Sequence, residues 1–155
     1  DAPMQLKAIP LSVLLLASCT IATSTFAQTA PEAAYDYRRS VMKSLGSHTH
    51  AFFLIFSGKV DQSTQMSTHA NAISAIGAEI STLFPPGSSV DDSQALSLIW
   101  EEPEQFSEVT QNTKIVTAGL AEAVAGGDRQ AIAQGFRALG NACKGCHDRY
   151  REDNE

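Results

Sequence analysis

The stretch DRQAIAQGFRALGNACKGCHDRY, residues 128–150, decides how the whole chain is read. Its residues Ile132, Phe136, Leu139, Cys143, Cys146 and Tyr150 recur every three or four positions, which puts them on one stripe of an α-helix. Asp128 stands where a helix takes its N-cap. Both cysteines therefore fall on the face turned to a core, one turn apart, with His147 directly after the second.

Three upstream segments carry the same period. In APEAAYDYRRSVMKSLGSHTHAFFLIF, residues 30–56, Ala34, Val41, Leu45, Phe52 and Phe56 follow it, Pro31 suits a first turn, and Gly58 ends the helix. From about Ser63, Met66, His69, Ile73, Ile76, Ile80 and Leu83 draw one stripe until Pro85-Pro86-Gly87 stops it. A polar connection, GSSVDDSQALSLIW, precedes a third helix beginning near Pro103, with Phe106, Val109, Thr113, Val116, Leu120 and Val124 before Gly126-Gly127. No segment alternates with period two between strand-like boundaries. Four amphipathic helices in one domain predict an all-α, antiparallel four-helix bundle, an architecture whose interior commonly holds a cofactor.

The front of the chain reads as an export signal: Lys7, an apolar run from Ile9 to Ala17, then small polar residues. The run is shorter than the ~20 apolar residues that span a bilayer. Thr25-Phe26-Ala27 offers cleavage before Gln28, giving a signal over residues 1–27 and one domain over 28–155; Asp1-Ala2-Pro3 ahead of Met4 is read as a start-site artefact. The competing reading takes Leu16-Ala17-Ser18-Cys19 as a lipobox, with Cys19 lipidated. The expected location is the periplasm, with a lipid anchor through Cys19 as the alternative. Losing residues 1–27 removes one charge of each sign, so the formal net charge stays at −6. An acidic chain without basic runs argues against nucleic acid and anionic membrane surfaces.

Three chemistries use Cys-x-x-Cys with histidine: a redox dithiol, a zinc site and haem c attachment. A redox dithiol of the thioredoxin kind sits at a helix N-terminus after a strand, where the dipole lowers the thiol pKa; here the pair comes late in a helix. A structural zinc site takes four ligands, and Cys143, Cys146 and His147 supply three. Haem c uses every element: two thiols one turn apart meet two vinyl groups, and His147 reaches the iron. A plain disulfide is the remaining alternative.

Beyond this motif, YRRSVMKSLGSH, LFPPGS, IW before an acidic residue, AGGD before the last helix and ACKGCHDRYR together resemble the class II cytochromes c, above all cytochrome c prime, from Ala34 to Glu152. The resemblance implies one haem c per chain, covalent through Cys143 and Cys146, with His147 as proximal ligand. It also implies Met42 over the distal face, Arg38 and Arg151 at basic positions near the haem edge, Phe84 lining the pocket, and a homodimer through the first two helices. Arg38 precedes Met42 by one turn and Arg151 follows His147 by one turn, so each shares a face with its axial residue. In this family the distal residue crowds the iron without binding it; in a low-spin sister group a methionine ligates it, and thioether sulfur is a competent sixth ligand. Solvated charge is the ordinary fate of Arg38 and Arg151, and core filling that of Met42. His48 points elsewhere on the first helix, His50 is a surface residue, and His69 is a satisfied core histidine.

The expected function is an exported haem protein that transfers electrons, binds nitric oxide or carbon monoxide at a five-coordinate iron, or does both. Its partners are redox proteins and small gases. The alternative is a low-spin, Met/His-ligated electron carrier. A peroxidase needs a distal acid–base pair, and none is identified near Met42, so no enzymatic activity is expected.

Overall fold

The computed structural model describes residues 29–152. The export segment, the cleavage points before Gln28 and at Cys19, and residues 153–155 lie outside the described residues. Helix α1 (Pro31–Phe56) is followed by a single 3₁₀ turn, Ser63–Gln65, that leads into α2 (Met66–Glu79). Helix α2 tightens into a second 3₁₀ turn, Ile80–Leu83; then come the short α3 (Leu98–Glu101), α4 (Pro103–Gly126) and α5 (Arg129–Tyr150). The long helices form an antiparallel four-helix bundle in which α2 packs on α1 and α4, and α4 on α5. Among the described residues none is long and apolar enough to cross a membrane.

The helix ends follow local chemistry. Proline occupies the first turn of α1 and of α4, where its missing N–H costs nothing. The Asp128 carboxylate caps α5 by accepting from Gln130 N at 2.8 Å. Gly127 closes α4 at φ 74°, a left-handed conformation that a side chain would strain.

One core cluster runs through the bundle: Leu45 and Phe52 of α1, Ala70 and Ile73 of α2, Leu120 of α4, Ile132 and Leu139 of α5. Phe52, Ile73, Leu120 and Leu139 are almost wholly buried, each worth about 1.5–3 kcal/mol relative to exposure. The helices approach closely where side chains are small. A Cβ on Gly77 of α2 would lie 2.2 Å from Thr117 Oγ1 of α4, so this crossing accepts only glycine.

Two features depart from the sequence expectations. The face that α4 buries keeps Phe106, Thr113 and Leu120 of the expected stripe but adds Thr110 and Thr117 in place of its valines, and Val109, Val116 and Val124 are half-buried. The threonines tolerate burial because their hydroxyls donate to backbone carbonyls of their own helix, at Ser107, Val109 and Lys114. The polar connection read over residues 87–100 leads into α3, a helix too short to show a period, held by the burial of Ile99.

Across the bundle, α1 and α5 meet ring to ring at one end. Phe136 of α5 stacks on Phe52 at 5.3 Å and Phe53 at 6.2 Å between centroids, and tilts against Phe56. Arg129 seals this end, donating to Phe56 O at 3.1 Å and lying over the Phe56 ring. The antiparallel run of the two helices puts Met42 and the cysteines toward the other end.

Candidate functional site

Helix α5 continues unbroken through Cys143, Cys146 and His147 to Tyr150, so the two sulfurs project one turn apart from a rigid rod. Both thiols are free and half-buried. Cys143 borders the main core cluster, as does Met42 of α1. Cys146 borders a second cluster, formed by Ile99, Phe106 and Tyr150. Phe84 packs against both clusters and meets Phe106 edge to face at 5.0 Å. The cysteine pair thus straddles two apolar walls joined by one aromatic ring.

The electrostatics separate the three chemistries left open by the motif. Burial pushes the Cys143 thiol up, and burial together with Cys143 pushes Cys146 up to about 11. A redox dithiol requires the opposite shift. Among the described residues no group of three His, Cys, Asp or Glu side chains is arranged to hold a metal ion. His147 is pushed below the ordinary imidazole range, first by burial and then by Arg151, with Asp148 opposing. A neutral imidazole is the form that ligates iron.

Arg38 is neither a solvated charge nor free. It is 4% exposed, and its guanidinium donates to Leu83 O, Ser88 Oγ and Ser88 O at 3.2 Å each and to Ser93 Oγ at 3.3 Å. The same group lies 5.0 Å above the Phe84 ring. Arg151 is exposed and grips the next residue of that connection, donating from Nε and Nη2 to Gln94 Oε1 at 3.2 and 2.7 Å. Backbone bonds from Leu96 N to Tyr150 O and from Glu152 N to Gln94 O complete the seam. The structure therefore brings Arg38 and Arg151 together on one loop, from the start of α1 and the end of α5.

Sequence reasoning missed the partners of these arginines. Ser88 and Ser93 sit in a polar run that reads as solvent-facing, yet both are buried. Trp100 Nε1 donates to Pro85 O at 3.1 Å and Tyr35 Oη to Asp92 O at 3.0 Å, tying the loop further. Only the density of Ser, Asp and Gly between two helices hinted at a structured turn. His48, expected to point elsewhere on α1, lies against His69 of α2, their Nδ1 atoms 3.0 Å apart; His50 is exposed. A cleft of about 510 Å³ opens at the aromatic end between Phe56, Met66, Val124 and Ile132; its charged lining residue, Arg129, is already bonded to Phe56 O.

The residues at the cysteine end fit haem c. Two thiols, a neutral imidazole and apolar walls are present, and Tyr150 Oη is buried without a hydrogen-bond partner, as expected beside a polar edge that the protein alone does not supply. A cytochrome c' of Pararhodospirillum photometricum is 31% identical over 123 residues, covering 79% of this chain and 98% of its own length. A cytochrome c-554 of Cereibacter sphaeroides is 39% identical over 87 residues, 54% of this chain and 56% of its own. Solved structures of cytochrome c prime from Alcaligenes xylosoxidans include a nitric oxide complex of a point mutant, at 25% identity and TM-score 0.74 over 81% of this chain and 99% of that one. A carbon monoxide-bound variant of the same protein gives 25% identity and TM-score 0.74 over 81% and 98%. A family model described as Cytochrome C' matches residues 33–151, and the chain therefore belongs to the cytochrome c' family, whose members carry haem c.

Proposed function

We propose that this chain is exported to the periplasm, carries one haem c through thioethers at Cys143 and Cys146, and uses it to bind small diatomic gases and to transfer electrons. The observation that carries this reading is the sharing of one apolar cluster by Met42 and Cys143, with Phe84 at its edge. When bound, the haem supplies the redox couple and the coordination site for a gas. The chain supplies the rest. His147 gives a neutral imidazole on the proximal side. Met42 stands on the distal side as a steric gate, and the apolar residues around it exclude water. An apolar distal face without a hydrogen-bond donor disfavours dioxygen relative to nitric oxide and carbon monoxide. The complexes of the Alcaligenes xylosoxidans protein with both gases support that choice.

Arg38 and Arg151 act on this site through the 84–97 loop, which they hold against the start of α1 and the end of α5; Phe84 lines the pocket between them. A homodimer through α1 and α2 has apolar surface available in Tyr37 and Phe53, which are 57% and 37% exposed. The second reading, a low-spin electron carrier, is favoured by the chemistry of Met42 itself, because a thioether ligates iron where an aliphatic side chain does not.

Absorption and electron-resonance spectra of the ferric protein separate the two. A gas-binding site gives a high-spin ferric spectrum, and Met42→Gly or Met42→Ala speeds nitric oxide binding several-fold by opening the gate. A low-spin wild type that becomes high-spin in Met42→Ala overturns five-coordination and leaves the Met/His carrier.

A further inference from the structure

Histidines packed between two helices ordinarily spend their ring nitrogens on carbonyls or carboxylates. His48 of α1 and His69 of α2 instead face each other, both half-buried, with ring centroids 5.3 Å apart and planes inclined at 52°. Their Nδ1 atoms are 3.0 Å apart, so in the metal-free protein one Nδ1 carries the shared proton and the other accepts it. Two metal–nitrogen bonds of ~2.0–2.1 Å spanning that gap meet at roughly 95°, the cis angle of a tetragonal or octahedral ion and well below the tetrahedral one. His69 also lines a cleft of about 180 Å³ shared with Leu54, Ile55, Gln62 and Gln65.

We propose that His48 and His69 form a second metal site, separate from the haem end, that takes a divalent transition ion in tetragonal geometry. Cu(II) is the ion of choice, because imidazole nitrogen at a right angle suits it and it heads the affinity order of the first row. Binding leaves oxidation states unchanged. The Nδ1 proton moves through solvent to Nε2 of the same ring, both Nδ1 lone pairs go to the metal, and water fills the remaining positions. No third His, Cys, Asp or Glu joins the pair among the described residues, so binding through two protein ligands is reversible.

Copper titration of the ferric holoprotein tests this, with the cysteines closed as thioethers and His147 on iron. One Cu(II) per chain is expected, with nitrogen splitting from two imidazoles in its electron-resonance signal. Because losing an outer-shell partner already costs ~10–100-fold in metal affinity, His48→Ala and His69→Ala should each lose at least tenfold. His50→Ala is the control; His50 is exposed and about 200° round α1 from His48, so it should bind copper as the wild type does. Each variant should keep its haem spectrum. Copper signals lacking the two-nitrogen pattern, or binding undiminished in either single variant, overturn the site. If a variant loses its haem spectrum, the wild-type splitting together with the His50→Ala titration decides.

Discussion

The two ends of the bundle are closed by different forces. At one end α1 and α5 touch directly, through Phe52, Phe53 and Phe56 against Phe136. At the other, each is anchored to a third element: Arg38 holds Ser88 and Ser93, and Arg151 holds Gln94. Ring stacking is tolerant of small shifts, because dispersion falls off gradually with distance. A guanidinium with four fixed acceptors is not. Stability can therefore reside mainly at the aromatic end, while geometry is set at the end that carries the cysteines.

Removing the cofactor attachment is the most severe way to break this contrast. Cys143→Ala combined with Cys146→Ala should leave no acid-stable haem, read by the pyridine spectrum and intact mass, whereas the wild type should retain its haem through acid extraction. Next in size is Phe136→Ala. The ring is half-buried, so a loss of about 3 kcal/mol is expected, at the low end for a core aromatic, seen as a lower urea midpoint. The haem spectrum and gas-binding rates should stay as in the wild type. Arg38→Met should do the reverse. It strands the buried Ser88 hydroxyl, while Ser93 Oγ keeps its bond from Ala95 N, and costs about 2 kcal/mol, yet it should speed hydrogen exchange at residues 88–96 and alter gas-binding rates. If Phe136→Ala changes ligand binding as much as Arg38→Met does, the division between the ends is lost.

Smaller effects sharpen the comparison. Asp128→Ala removes the cap of α5 at the aromatic end and should cost about 1 kcal/mol without spectral change. At the other end, the haem-free chain should lose stability as pH rises from about 9 through about 11. The folded state there keeps the Cys146 proton to about 11, above the 9.0 of an unperturbed thiol, so the unfolded state binds fewer protons in that window. Thioethers do not titrate, so the haem-bound protein should lack this alkaline loss.

The ends also differ in how far they could be read from sequence. Period alone placed the four long helices and put Phe52, Phe136, Cys143 and Cys146 on inward faces, because apolar burial repeats every turn. The close approach at Gly77 and the burial of Thr110 and Thr117 in α4 escaped that logic. Neither glycine nor threonine is apolar in a way that marks a core, and both features depend on which helix lies opposite. The Arg38 clamp was least legible. An arginine on a helix looks solvated until its acceptors are known, and two of them, Ser88 and Ser93, lie 50 and 55 residues away. Similarly, His48 and His69 belong to different helices, and nothing in either helix alone announces the other.

One turn of α1 separates Arg38 from Met42, and that short rod gives the loop leverage. Since four bonds to Leu83, Ser88 and Ser93 fix where the rod begins, the height of Met42 follows the length and shape of a loop remote from it in sequence. Inserting or deleting a residue between Ser88 and Ser93 would raise or lower the methionine as a set screw does, leaving the pocket's own side chains untouched. With Met42 as the proposed gate, such a loop would let ligand access be tuned over evolutionary time by changes in spacing alone, without substituting a residue that faces the pocket.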